Sequence, residues 1–224
     1  MNYVMTYKAP FPMAEITLNR GDEIRIEPSS MSYCDASVNF DTKLNRGSRG
    51  GGILSAIGRA IASGESMFIL QVSATRDGSV VALGTKVPGE IHVLKLGAEQ
   101  WRMRDQVFLA CDAGVNYDIR TQRLDQAIFG NTGGLFVMET NGTGDMLIRS
   151  CGAMHRIELD GTKSVIVDNS HVVAWSTTLD YNATFVGGRG MSWIWDGIVC
   201  EFRGRGTVLM QTNCRVTQAK SSSD

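Results

Sequence analysis

Three histidines, five cysteines and a set of recurring aspartates are the residues of this chain whose types could carry chemistry. His92, His155 and His171 could serve as metal ligands or general bases. They are scattered, and none has the spacing of a two-histidine motif such as HExxH. Cys34, Cys111, Cys151, Cys200 and Cys214 are odd in number and contain no CxxC pair. Neither a disulfide framework nor a zinc site is indicated, and a reduced, cytoplasmic protein is expected. The segment SRGGGILS around Gly50–Gly52 has the glycines of a phosphate-binding loop, but Ile53 and Leu54 follow where a Lys and a Ser or Thr would be needed. There is no GxSxG nucleophile turn. The expectation from these residues is no enzyme, no catalytic or metal-binding residue and no cofactor.

What the aspartates do becomes clear from the segments that carry them. Ile91–Tyr117 is written three times, recurring upstream as Ile16–Phe40 and downstream as Ile157–Tyr181. Ile24/Trp101, Ile26/Met103, Cys34/Cys111, Val38/Val115 and Phe40/Tyr117 all differ by 77, and Trp101/Val165, Met103/Val167, Ala110/Ala174 and Tyr117/Tyr181 all differ by 64. Matched apolar positions lie two apart, the period of a strand with one buried face. An internal repeat takes precedence over every other pattern in assigning a fold. Asp35/Asp112 and Asp41/Asp118 recur within it, which predicts turn or cross-strand hydrogen bonding rather than acid–base chemistry. Cys34 and Cys111 share their place with Trp175, so that place is a packing position. His171 aligns with Val107 and is expected on a strand face.

The fold class read from this is all-β: three tandem, pseudo-symmetric, short double-stranded β-helix or β-sandwich units, with one short helix in the first. The boundaries are 1–89, 90–154 and 155–217, followed by a disordered polar tail, 218–224. Each unit has about six short strands and one insert at the same place. Residues before Ala14 form a lead-in edge strand and turn around Pro10 and Pro12. The helix is read over Ile53–Ser63, where Ile53, Ile57, Ala60 and Ile61 share a face and Gly64 ends it. Hairpins are read around Arg76-Asp77-Gly78, at Asn141-Gly142, and over Ile198–Thr212.

Charge is balanced, with 22 Lys+Arg against 23 Asp+Glu, so no large electrostatic footprint for nucleic acid is present. With 43% hydrophobic residues, the chain still has no apolar run near 18, so no membrane-spanning helix is read. The start has neither a secretory apolar core nor an Arg-rich amphipathic pattern.

Several motifs together resemble a known family. They are E-I-x-L-x-x-G-D from Glu15, D-T-K-L at Asp41–Leu44, G-G-G-I-L-x-x-I-x-R-A-x-x-x-G-E-S-M-F from Gly50, P-G-E-I at Pro88–Ile91, and F-x-G-x-G-x-V-x-x-Q-T at Phe202–Thr212. They are similar to the bacterial branch of the altered-inheritance-of-mitochondria 24 domain family, over about Met1 to Thr212. Copy three departs from the pattern in lacking a second Gly-Gly after Trp195. The resemblance implies three short β-helical units related to the subunit of the tryptophan RNA-binding attenuation protein, and three chains assembling as a nine-unit ring. Bacterial members of that family have no established enzymatic activity, so the resemblance carries over no functional residues; the yeast member is linked to mitochondrial inner-membrane organisation.

The ring has an independent physical basis, because the outer faces of the first and third units leave unpaired strand edges that a head-to-tail cyclic contact would cover. The expected function is therefore a non-catalytic scaffold or interaction protein, a homo-oligomer and specifically a trimer. The alternative is a ring that binds a small ligand or nucleic acid. That alternative needs a basic residue at one place in each copy, and Arg25, Arg102 and Ser164 come closest. The inserts offer Ile53, Leu54, Ile57 and Ile61; then Leu124, Ile128 and Phe129; then Met191, Trp193, Ile194 and Trp195. Either each insert caps the core of its own unit, or together they form an apolar interaction rim for a protein partner or a membrane surface.

Overall fold

The computed structural model describes residues 1–41, 69–122, 135–185 and 198–213. Among these the chain is all-β, with nineteen strands and three 3-10 turns in four antiparallel sheets. The insert residues Ile53, Leu54, Ile57, Ile61, Leu124, Ile128, Phe129, Met191, Trp193, Ile194 and Trp195, the helix read over 53–63 and the tail 218–224 all lie outside the described residues.

Alternation drives the strands. In β2 (Met13–Leu18) Ala14, Ile16 and Leu18 are buried while the residues between them are half-buried. β2 is flanked by the edge strand β1 (Asn2–Tyr7) and by β7 (Ser79–Gly84), which in turn pairs with β4 (Met31–Cys34). The second sheet runs β5 (Val38–Asp41), β6 (Leu70–Ala74), β3 (Glu23–Ile26), β10 (Phe108–Asp112), β13 (Gly144–Cys151), β8 (Gly89–Leu96). The third runs β11 (Val115–Gln122), β12 (Leu135–Gly142), β9 (Trp101–Arg104), β16 (Val172–Ser176), β19 (Arg205–Gln211), β14 (Met154–Asp160). The fourth is β15 (Val165–Asp168), β18 (Ile198–Arg203), β17 (Asp180–Phe185).

The three hairpins read from the sequence are corners. β6 and β7 flank Gly78 yet lie in different sheets, as do β12 and β13 around Asn141-Gly142, and β18 and β19 around Gly204. A glycine at positive φ can bend a continuous strand from one sheet to another as readily as it closes a hairpin, and φ is +73° at Gly78, +108° at Gly142 and +104° at Gly204. At Gly142 a Cβ would stand 2.5 Å from the carbonyl oxygen of Gly114, so the corner also needs the absence of a side chain. Among the described residues the strands consecutive in sequence that pair directly are β1–β2, β5–β6, β11–β12 and β17–β18, and the three inserts fall in the sequence between the strands of the last three pairs.

Corresponding strands share a register. Tyr33↔Ala82 and Cys34↔Val81 on β4·β7, Ala110↔Leu147 and Cys111↔Met146 on β10·β13, and Ala174↔Leu209 and Trp175↔Val208 on β16·β19 each follow a bulge. A 3-10 turn precedes each of β4, β10 and β16: η1 (Pro28–Ser30), η2 (Asp105–Val107) and η3 (Asn169–His171). Cys111 and Trp175 are buried, and Cys34 is half-buried against the first core.

Three cores lie between the sheets. The first, around Ile16, Ile24 and Val72, also takes Leu109, Ala110 and Leu147 from β10 and β13. The second, around Trp101, Met103 and Phe108, takes Val173, Ala174 and Leu209 from β16 and β19. The third is built on Trp175, Cys200 and Phe202. The first two cores thus draw on the next stretch of chain, which fastens successive parts together.

Candidate functional site

The polar residues with chemical potential hold backbone. Asp35 accepts the N–H of Val80 at 2.8 Å and Asp112 that of Asp145 at 2.7 Å, while Ser176 Oγ accepts the N–H of Thr207 at 2.9 Å. All three bonds fasten the start of the strand that leaves a corner, which is the turn role expected of Asp35 and Asp112 among the recurring aspartates. His171 closes the 3-10 turn η3 rather than lying on a strand face, and its Nδ1 lies 2.7 Å from the carbonyl oxygen of Gln211. His92 contacts Glu90 at 2.9 Å, but the same carboxylate oxygen accepts the N–H of Met154 at 3.0 Å and so ties β8 to β14. That backbone bond, opposed by partial burial and aided by His92, holds the Glu90 carboxyl below its ordinary range. Among the described residues no group of three or more His, Cys, Asp or Glu could hold a metal ion.

Four described cysteines, Cys34, Cys111, Cys151 and Cys200, are free thiols. Burial pushes Cys111 up to about 12, against the opposing charge of Arg25, and burial pushes Cys200 up to about 11. Such thiols stay protonated at neutral pH and make poor nucleophiles. Burial also raises Tyr117 and Tyr181 above the usual phenol range.

A cleft of about 670 Å³ opens beside η2 and η3, with Arg104, Arg149, Asp168 and Gln211 on its walls. Its arginines serve the junctions between successive stretches of chain. Arg104 Nη1 donates to the carbonyls of Asn169 at 3.0 Å and Ser170 at 3.3 Å. Arg149 donates to the carbonyl of Gln106 at 2.8 Å and to Ser30 Oγ at 3.0 Å, with Glu27 at 3.9 Å. Gln211 donates to the carbonyl of Ser170 at 2.9 Å, as Arg149 does to Gln106. None of these partners was visible in the sequence, because they join residues 41 to 122 apart and no local pattern announces them.

The basic triplet sought in the sequence is resolved by register. Arg25 sits between Ile24 and Ile26 on β3, and Arg102 between Trp101 and Met103 on β9. Their counterpart on β15 is Ile166, between Val165 and Val167, and not Ser164, which precedes the strand. The third position is apolar and exposed.

The surface carries a sharper feature at the two ends of this sheet series. Among the described residues β4 pairs with β7 alone and β15 with β18 alone. β10 and β16, the counterparts of β4, are buried along their length save Asp112, whereas Met31 and Tyr33 of β4 are 37% and 46% exposed. Ile166 of β15 is 63% exposed. These bare, apolar edges are the candidate interaction site.

Fold and edges together define an all-antiparallel β protein whose strands turn corners between stacked sheets. The chain belongs to the family described as Mitochondrial biogenesis AIM24, which matches residues 3–213. It is 41% identical over 214 residues to an uncharacterized protein of Streptococcus pyogenes serotype M6, covering 95% of this chain and 86% of that one. It is similar to a Streptococcus pyogenes protein of known crystal structure, with 37% identity, a TM-score of 0.78, and coverage of 95% of this chain and 94% of the other. Among the described residues no helix is long and apolar enough to cross a membrane.

Proposed function

We propose that this member of the AIM24 family is a non-catalytic scaffold that acts as a cyclic homo-oligomer, specifically a trimer, of chains each made from three like units, 1–89, 90–154 and 155–217. The observation that carries the reading is the pair of bare strand edges on β4 and β15. Unpaired edge strands invite pairing, and a head-to-tail contact between unlike edges closes into a ring. The absence of catalysis is supported by Asp35, Asp112 and Ser176, whose side-chain oxygens bond backbone N–H groups, and by the protonated buried thiols. Free thiols support a reducing, cytoplasmic location.

The inserts supply the outward contact. Each connects two directly paired strands, β5–β6, β11–β12 or β17–β18, so like units in a ring bring all three to one face. Their apolar residues, Trp193 and Trp195 above all, suit a protein groove or a lipid headgroup boundary. Ile166 in the place of a third arginine weighs against the ligand- or nucleic-acid-binding alternative.

The test is light scattering on the full chain, with a trimer expected; a stable 24.4 kDa monomer at micromolar concentration rejects the ring. Association with liposomes or captured partners that is lost in Trp193→Ser/Trp195→Ser, with the oligomer and its Tm intact, supports the rim; unfolding of that variant rejects it.

A further inference from the structure

The two bare edges fit each other in one register, and we propose that β15 of one copy pairs antiparallel with β4 of the next as Tyr33↔Val167, Cys34↔Ile166 and Asp35↔Val165. This names the interface of the oligomer just proposed and rests on that reading.

The register comes from two junctions that the chain makes with itself. β3 joins β10 through Ile26↔Ala110, Arg25↔Cys111 and Ile24↔Asp112. β9 joins β16 through Met103↔Ala174, Arg102↔Trp175 and Trp101↔Ser176. The second junction is the first moved by 77 residues on the β3 side and 64 on the β10 side. Among the described residues the counterparts without a junction are Val167, Ile166 and Val165 on β15, and Tyr33 and Cys34 of β4 with Asp35 just past it. Pairing them places β17, β18 and β15 beside β4, β7 and β2, the three-plus-three arrangement of the two six-stranded sheets with β1 added outside β2.

Burial points the same way. The residues matching Tyr33 are Ala110 and Ala174, both 0% exposed because their junctions cover them. Tyr33 is 46% exposed, and its strand has no neighbour on that side among the described residues. The cores agree. Leu109 and Ala110 enter the first core and Val173 and Ala174 the second, while no such pair enters the third among the described residues. Ser32 and Tyr33 of the neighbouring copy occupy that place in the proposed junction. Each copy offers one edge of each kind, so the contact is heterologous and a closed ring leaves neither edge bare.

Cross-strand partners have Cα atoms roughly 4.5–5.5 Å apart, within the range a disulfide spans. The full chain carrying Ile166→Cys is oxidised under native conditions. The expected result is a non-reducing ladder of covalent oligomers whose linked peptides contain position 34 joined to position 166, abolished by Cys34→Ser. Asp168→Cys, two residues along the strand, links several-fold less. Light scattering on the unoxidised protein separates the two levels of the idea. An oligomer with no 34–166 linkage, or with Asp168→Cys linking as well, overturns the register and leaves the oligomer standing. A 24.4 kDa monomer overturns both.

Discussion

Arg25 of β3 donates through Nη1 to the carbonyl oxygen of Val115 at 2.5 Å, across 90 residues of chain. Arg102 of β9 makes the corresponding bond to Leu179 at 3.3 Å, and its Nε donates to Glu139 at 2.8 Å. In both places a cation reaches over the strand junction to a carbonyl at the start of the following strand, Val115 opening β11 and Leu179 standing just before β17. The junctions between successive stretches are therefore held by backbone ladder, shared core and a charged clasp together.

Arg102→Ala removes the clasp and leaves a partly buried carboxylate and a carbonyl short of a donor. Loss of hydrogen bonds to a charged group costs about 1–3 kcal/mol. Urea denaturation of Arg102→Ala should show a loss of that size, with Arg102→Lys intermediate because an ammonium cannot donate to both partners as a planar fork. A midpoint equal to wild type would show that the clasp contributes nothing.

Glu27 gives a pH signature. Burial raises its carboxyl, but bonds from the Ser29 and Ser30 hydroxyls, the Ser29 N–H and the charge of Arg149 outweigh burial and hold it below the ordinary 4.5. A carboxyl depressed in the folded state contributes stability that is fully present above 4.5 and disappears as pH falls through the lowered value. Glu27→Gln should be less stable than wild type by about 1–3 kcal/mol at pH 7. The difference should shrink below pH 4.5, as followed by denaturation at a series of pH values. A gap constant down to pH 2 would contradict the assigned cause.

How far the sequence could be read depended on whether neighbours in space left a trace along the chain. The placement of Cys34, Cys111 and Trp175 was legible because strands of one register carry matching apolar positions at constant offsets. The corners were misread as hairpins because an Asn-Gly or a lone glycine between two alternating runs is written the same way for both; the choice depends on which distant strand each run pairs with. Setting Ser164 against Arg102 is two residues too early, because the 64-residue offset that pairs Trp101 with Val165 and Met103 with Val167 already points to Ile166. Junction contacts such as Arg149 to Ser30 leave no local pattern at all.

A corner glycine and one in open space should separate by geometry. Gly142→Ala forces a side chain into φ +108° and a Cβ to 2.5 Å from a backbone oxygen, so the corner must shift. A cost above about 1–3 kcal/mol is expected from the backbone conformation alone. Gly97, with open space around its Cβ position and no positive φ, should accept Ala with little change in Tm. Equal effects at the two sites would refute the steric reading of the corner.

Cys111 and Cys200, raised by burial to about 12 and about 11, should resist iodoacetamide at pH 8 in the folded protein and react at ordinary rates in denaturant. Peptide mapping by mass spectrometry reads each site separately. Rapid native alkylation of Cys111 would show that its core opens readily.

The last prediction joins the arginine clasp to the proposed ring. Ile166 stands where Arg25 and Arg102 stand, and the residue matching Val115 and Leu179 in the first stretch is Val38. In the junction between copies, a side chain at position 166 therefore overlies the neighbour's Val38 carbonyl. Ile166→Arg supplies the missing donor, and its long apolar stem still covers part of the surface that Ile166 covers. The variant should keep the oligomer and hold it together at a several-fold lower protein concentration, measured by light scattering on dilution. Ile166→Asp places a carboxylate against that carbonyl and beside the neighbour's Asp35, and should shift the equilibrium toward monomer with the far-UV spectrum unchanged. Arginine and aspartate weakening the oligomer alike would mean that position 166 tolerates no polar group and that the clasp geometry is not reproduced between copies. A response to neither would place the interface away from β15.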